Sequence, residues 1–184
     1  MNDHAFWPGT KMLRGHLRLL RTKDAGTANR DANATMSIKL LNQALTIARV
    51  AALRCERQYF AALRSHWPVL AAAALEHANA AQIHANGIST RIAEIGGNSD
   101  WFEASAPVIA SEQRTGTSLV AMISHHLATE RATIKIYREI VAGFAPFDRL
   151  SQKLIEQIIS YEEECAGELA RLLHQMSSPT PQMS

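Results

Sequence analysis

Cysteine is scarce in this sequence, and long apolar runs are absent from it. The only cysteines among the 184 residues are Cys55 and Cys165, too few for the disulfide framework of a small secreted domain. We therefore expect a reducing, cytoplasmic setting. No 18-residue apolar run occurs, and the N-terminus lacks the compact apolar segment of a secretory signal. The sequence thus predicts no contact with a membrane.

Aromatic residues, glycine and proline are also few. Aromatics make up 6% of the chain, and there are only nine glycines and six prolines. Alanine and leucine supply most of the 47% hydrophobic share, and alternating β-branched residues are rare. This composition is typical of packed helices and argues against a sheet. The net charge of +2 gives no general argument for nucleic-acid binding.

Residues 1–34 differ from the rest of the chain in their charge. They carry six Lys or Arg and three Asp, a net charge of +3, and we expect a flexible basic arm. Such an arm can contact DNA phosphates without sequence specificity, although a solvated tail is the alternative. The candidate DNA-contacting residues are Lys11, Arg14, Arg18, Arg21 and Lys23. We expect a helical bundle over 35–176 and a disordered tail over 177–184.

Apolar residues recur every three or four positions in four long segments. The first begins at Ser37 and ends near Pro68, and the second ends at Gly96-Gly97, since glycine often follows the last helical turn. The third and fourth helices are expected at about 117–142 and 147–175. The first and third connections are tight, whereas the second has about 20 residues. This spacing favours a bundle with one long crossover between helices 2 and 3; a simple up-down bundle is the competing topology.

Three polar residues interrupt the apolar stripes near the helix midpoints. Glu162 is in register with Ile158 and Leu169, whereas Glu163 and Glu164 point away. Glu130 and His84 hold similar positions on the third and second helices. Two carboxylates and an imidazole around a cation satisfy one another, and this donor set suits iron, manganese or zinc. Each residue also has an interpretation without a metal. Glu162 could reach solvent, His84 could be a hydrogen-bonded core histidine, and Glu130 could pair with a surface arginine.

Four segments of the chain resemble bacterioferritin and the Dps-like ferritins. They are "LLNQALTIARVAALRCERQYF", "LEHANAAQIHANGISTRIAEIGG", "GTSLVAMISHHLATERATIKIYREI" and "IISYEEECAGELARLL". The resemblance covers about 37–175 and implies a ferritin-like four-helix bundle. It also implies iron binding and storage in a homo-oligomeric shell. In the family, a di-iron ferroxidase site takes one Glu from each of two helices and a Glu-x-x-His pair from each of the other two.

Only half of the ligands that the family implies are present here. The positions that keep a ligand are His84, Glu130 and Glu162, and those that lose or change it are Ala48, Ala81 and Cys165. We therefore expect weakened or lost ferroxidase activity. A single Fe, Mn or Zn ion can be held by His84, Glu130 and Glu162, with Cys165 as fourth ligand or as an ordinary buried cysteine. An empty site is the other expectation.

The other histidines and cysteines near these positions are expected to have structural roles. His77 lies one heptad from His84, so we interpret it as a packing residue or as a residue that supports a ligand without binding the metal. His126 is a weak ligand candidate. Cys55 is expected about one turn off the level of the metal, with a Cys55–Cys165 redox pair as an alternative. Gln82 stands where bacterioferritin has its haem-ligating methionine, so no haem is expected.

The resemblance and the changed ligands leave two functional hypotheses. The first is an iron storage protein with little or no ferroxidase activity. The second is a catalytically silent structural paralogue that assembles with itself or, as a hetero-oligomer, with an active ferritin-like subunit.

Overall fold

The computed structural model describes residues 28–100, 118–144 and 147–177, and these form four α-helices. They are α1 (Ala28–Arg64), α2 (Pro68–Glu94), α3 (Leu119–Phe144) and α4 (Arg149–Ser177). α1 packs mainly against α2, and α3 packs mainly against α4. The predicted all-α four-helix bundle is confirmed.

Within the described ranges, no helix combines the length and the apolarity that crossing a membrane requires.

α1 begins earlier than the apolar pattern indicated. Its first residue is Ala28, nine residues before Ser37, so the boundary drawn after residue 34 falls inside the helix. The segment "ANRDANA" is rich in alanine, which favours helix, but its polar residues give no apolar period. Residues 1–27, with most of the basic arm, lie outside the described part of the chain, as do 178–184.

Contacts at one end of the bundle fix the directions of the helices. Residues 37–40 of α1 meet the residues that follow α2, the last turn of α3 and the residue that precedes α4. α1 and α4 therefore start at the end where α2 and α3 finish, so α2 and α3 run parallel. A chain that leaves α2 must return along the whole bundle to enter α3, which confirms the crossover topology; 101–117 of that connection lie outside the described residues. The contacts are Ile38 with Gly97, Leu40 with Gly143 and Ser37 with Asp148.

Two consecutive glycines end α2, as predicted. Gly96 has φ +80°, in the left-handed region where glycine carries no Cβ penalty. Its N–H donates to Ala93 O at 3.0 Å, and Gly97 N–H donates to Ile92 O at 2.9 Å. This pair of bonds is a Schellman motif, and it satisfies carbonyls that the helix end would leave unpaired.

The two helix pairs have different interiors. α3 and α4 bury large side chains such as Ile123, Tyr137 and Ile155. α1 and α2 instead meet over many alanines, including Ala48 and Ala81, both almost fully buried. Alanine lets two helices approach closely, but it brings no donor atom to the space between them.

Gly97 is closely covered by Ile38, and its substitution tests this packing. A Cβ at Gly97 would lie 2.6 Å from Ile38 Cγ1, so Gly97→Ala forces the α1–α2 corner apart. We expect the free energy of unfolding in urea to fall by about 1–3 kcal/mol. Gly167→Ala is the matched control, because a Cβ there meets nothing within 4 Å, and it should stabilise α4 by roughly 0.5–1 kcal/mol. Equal effects of the two variants would contradict the close contact.

An ion-pair network joins α2 to the start of α4. Arg91 Nη2 lies 3.1 Å from Asp148 Oδ1, and Ser151 donates to Asp148 through both its backbone N–H and its hydroxyl. Burial opposes the charge on Asp148, but the hydrogen bonds from Ser151 and Ser37 and the charge of Arg91 lower its pKa below the usual value. The ionised form is therefore the one that stabilises the bundle.

Asp148→Asn removes the charge, keeps one accepting oxygen and replaces the other with an amide nitrogen. A carboxyl whose folded pKa is depressed contributes stability above its unfolded pKa and loses it as pH falls through the folded pKa. We expect the variant to be less stable by about 1 kcal/mol at neutral pH, and the difference to shrink below pH of about 4. Urea unfolding across the pH range measures it, and a difference that grows on acidification would contradict the assignment.

Candidate metal centre

The inward glutamate of the Glu162–Glu164 run is Glu162. Its side chain is buried on α4, whereas Glu163 and Glu164 are exposed. Glu163 accepts a hydrogen bond from Arg138 at 2.7 Å on the surface. The register inferred from the apolar stripe is therefore confirmed for all three.

Glu162 meets Glu130 of α3 and His84 of α2 inside the bundle. Burial, the negative charge of Glu130 and a hydrogen bond between the two carboxyls raise the pKa of Glu162 well above its usual value. The raised pKa favours the protonated form of Glu162, which can donate to the Glu130 carboxylate. His84 Nδ1 lies 3.5 Å from Glu162 Oε1, and burial lowers the pKa of His84 to about 4, so its imidazole is neutral. Glu162 thus contacts both other retained ligand residues, although the donor atoms of the three do not all lie within 4.8 Å of one another.

Glu130 carries the negative charge of the pair. Burial opposes that charge, but the hydrogen bond from His126 and the charges of His126 and Arg54 outweigh it and lower the pKa of Glu130 to about 2. His126 Nε2 lies 3.2 Å from Glu130 Oε1, and Arg54 Nη2 lies 3.9 Å from the same oxygen. All three side chains are buried. The surface-arginine alternative for Glu130 is therefore wrong: its cation is Arg54, inside the bundle.

The changed ligand positions bring little to this centre. Ala48 and Ala81 are buried without a donor atom. Cys165 is buried, and its hydrogen-bond partner is Tyr161. Burial and the charge of Glu162 raise the pKa of the Cys165 thiol. A metal held by His84, Glu130 and Glu162 with Cys165 as fourth ligand stays a prediction.

A second cluster lies beside Glu130. It consists of Cys55 on α1, His77 on α2 and His126 on α3, all buried. One donor atom from each lies within 4.8 Å of the other two, and among the described residues this is the one set of three His, Cys, Asp or Glu side chains with that property. Cys55 Sγ is 3.8 Å from His126 Nε2, and the rings of His77 and His126 meet edge to face with centroids 5.2 Å apart. Burial lowers the pKa of His77 to about 4.

The sequence interpretation of this second cluster was incomplete. His77 was interpreted as a packing residue and His126 as a weak candidate, because both were measured against His84 and the family positions. A simpler signal was present: α1 and α2 are antiparallel across the turn at His66, and Cys55 and His77 are equally far from it along the chain. Neither cysteine forms a disulfide, and they contact different side chains, His126 for Cys55 and Tyr161 for Cys165.

The basic residues proposed for DNA contact belong to the part of the chain that the structure does not describe. They are Lys11, Arg14, Arg18, Arg21 and Lys23.

A double-mutant cycle on Arg54 and Glu130 tests the buried charge balance. Arg54→Met and Glu130→Gln should each destabilise the protein by about 3 kcal/mol, because each leaves a buried charge without its partner. The double variant should cost less than the sum by about 1–2 kcal/mol.

The surface pair of Arg138 and Glu163 is the control cycle. Both side chains are largely exposed, so its coupling should stay below about 1 kcal/mol. Urea denaturation of the wild type and the six variants gives all the free energies that the two cycles need. Additive effects at Arg54 and Glu130 would contradict the pairing.

Solved structures with this fold come from two kinds of protein. A Dps1 variant from Mycobacterium smegmatis superposes with a TM-score of 0.70 at 14% identity, covering 78% of this chain and 98% of the other. A bacterioferritin from Desulfovibrio desulfuricans, whose structure shows a di-iron site, has a TM-score of 0.67 at 23% identity over 83% of this chain and 85% of the other. Dps92 from Deinococcus radiodurans has a TM-score of 0.64 at 15% identity over 82% and 90%. At these identities the likeness shows the fold alone.

No curated protein matches the sequence. The family model for the ferritin-like domain, however, matches residues 38–178, which include parts of all four helices and every residue of both clusters. The bundle with parallel second and third helices and the convergence of His84, Glu130 and Glu162 agree with that match. The chain belongs to the ferritin-like domain family.

Proposed function

We propose that this chain is an iron-binding storage subunit of the ferritin-like type, with weakened or lost ferroxidase activity. Iron is its cargo, and the bundle centre oxidises ferrous iron slowly or not at all. The proposal rests on the family assignment and on the donor set at the bundle centre.

The observation that carries the proposal is the replacement of carboxylates by alanine next to a buried cation. Two iron ions a few ångströms apart need bridging and terminal carboxylates to balance their charge. Ala48 and Ala81 bring none, and the guanidinium of Arg54 already lies near Glu130. The residues present therefore do not fit a di-iron pair.

A single ion is the most that this centre supports. Glu130, Glu162 and His84 approach from three helices and offer two carboxylates and a neutral imidazole, a set that suits iron, manganese or zinc. Two coupled iron ions can together supply electrons to oxygen, and a single ion without a partner cannot do so in the same way. Iron stored by such a subunit would then be oxidised elsewhere, for example by an active subunit of the same shell.

Exposed apolar side chains favour an assembly, which supports both the storage role and the structural alternative. Leu53, Phe60 and Leu63 recur at helical spacing along α1, and Leu75 and Ile83 are exposed on α2. We infer that these helices contact other subunits in a homo-oligomeric shell or a hetero-oligomer. A cytoplasmic location and weak DNA association through the basic arm remain further parts of the proposal.

Restoring the family ligands tests the proposal. The wild-type protein, supplied with ferrous iron and oxygen, should form ferric products at a rate close to that of iron in buffer. The triple variant Ala48→Glu, Ala81→Glu and Cys165→His should raise the initial rate roughly tenfold or more, because it rebuilds a carboxylate-rich pair site. Absorbance of the ferric product measures the rate, and elemental analysis measures the iron retained per subunit.

The control variant adds carboxylates away from the centre. Ala72 and Ala142 are exposed, so Ala72→Glu with Ala142→Glu should leave the rate unchanged. A wild-type rate equal to that of the restored variant would refute the loss of oxidation chemistry. A wild-type protein that retains no iron would refute the storage role and favour the structural alternative.

A further inference from the structure

We propose that Cys55, His77 and His126 form a second, buried site for a zinc-class divalent ion. This site is separate from the positions that the family uses for iron. None of the three residues occupies one of the six family ligand positions, and the inference does not depend on the storage role.

Three helices bring the three donors together. Cys55 lies on α1, His77 on α2 and His126 on α3, and all are at least nine-tenths buried. Their donor atoms lie within 4.8 Å of one another. A polar cluster in an apolar interior is costly unless the charges and dipoles of its members are compensated. A cation among the donors would satisfy the cluster.

The spacing of the donors is near what a tetrahedral ion requires. Zinc–sulfur and zinc–nitrogen bonds of about 2.3 and 2.0 Å place the two ligand atoms roughly 3.5 Å apart. Cys55 Sγ and His126 Nε2 are already 3.8 Å apart. Small side-chain rotations would therefore bring the group to bonding distance, and the helix backbones need not separate.

The donor types select the ion. One thiolate and two imidazoles form a softer set than the carboxylates of the neighbouring centre, and they favour zinc over magnesium or manganese. When the metal–sulfur bond forms, Cys55 gives up its thiol proton to solvent, and no change of oxidation state is involved. Three protein ligands leave a fourth position open.

The Glu130 carboxylate adds favourable charge beside this site. Its Oε1 lies 3.2 Å from His126 Nε2. If Nε2 binds the ion, it gives up its hydrogen bond to Glu130, and the nearby carboxylate then offsets the positive charge of the ion. Arg54 opposes that effect from 3.9 Å away. The negative charges of the Cys55 thiolate and the Glu130 carboxylate exceed the single positive charge of Arg54. The net electrostatic potential at the site therefore still attracts a cation.

Cobalt(II) titration of the full-length, metal-stripped and reduced protein tests the site. Bound cobalt should give a thiolate-to-cobalt absorption band in the near ultraviolet and tetrahedral bands in the visible, and one equivalent of zinc should abolish them. Cys55→Ser and His126→Ala should remove the thiolate band or weaken cobalt binding by roughly 100-fold, and His77→Ala should weaken it by roughly tenfold or more.

Matched controls separate this site from the partial iron centre. His125 is exposed next to His126, and Cys165 is the other buried cysteine; His125→Ala and Cys165→Ala should both keep the cobalt spectrum. Loss of the spectrum in Cys165→Ala but not in Cys55→Ser would place the ion at the partial iron centre and overturn the proposal.

X-ray absorption of the zinc-loaded wild-type protein gives a readout that does not depend on a variant folding. The proposal expects one sulfur and two imidazole nitrogens around zinc. A shell of oxygen and nitrogen without sulfur, or a folded wild-type protein that binds no cobalt or zinc, would overturn it. Iron uptake and oxidation measured on the same samples report on the storage proposal separately.

Discussion

The structure depends on how one buried negative charge is compensated. The Glu130 carboxylate lies inside the bundle, where an ion without partners costs several kcal/mol. A hydrogen bond from His126, a proton held by Glu162 and the guanidinium of Arg54 compensate it together. His126 lies on the same helix as Glu130, but Glu162 and Arg54 come from α4 and α1, so the charge is fully compensated only when the bundle is assembled.

This compensation distinguishes the centre from a di-iron site. In a di-iron site, metal cations hold several carboxylates together; here one carboxylate is neutral, one is paired and two positions are alanine. The alanines also let α1 and α2 pack closely, which contributes to the stability of the bundle. These contacts compensate the buried charge without a metal, and we propose that the centre holds at most one ion among His84, Glu130 and Glu162.

His126 connects two polar clusters of different chemistry. Its Nε2 lies 3.2 Å from Glu130 Oε1 and 3.8 Å from Cys55 Sγ, and its ring packs edge to face against His77. The first cluster offers hard oxygen donors and the second a thiol with imidazoles. Because both are buried in the same bundle interior, a change at His126 is expected to affect both.

The sequence by itself determined the four helices, the glycine stop after α2 and the inward register of Glu162, because apolar periodicity and local backbone preference are local properties. The long second connection also indicated parallel middle helices, and contacts at the start of α1 confirm this. The polar first turns of α1 were missed because a helix without an apolar stripe has no period to detect. Only the tertiary structure decided that Arg54 is the cation beside Glu130 and that Cys55, His77 and His126 meet. Those contacts join residues far apart in the chain, and the axial levels and rotations of three packed helices set them. The apolar pattern of one helix does not encode its axial level or its rotation relative to the other helices.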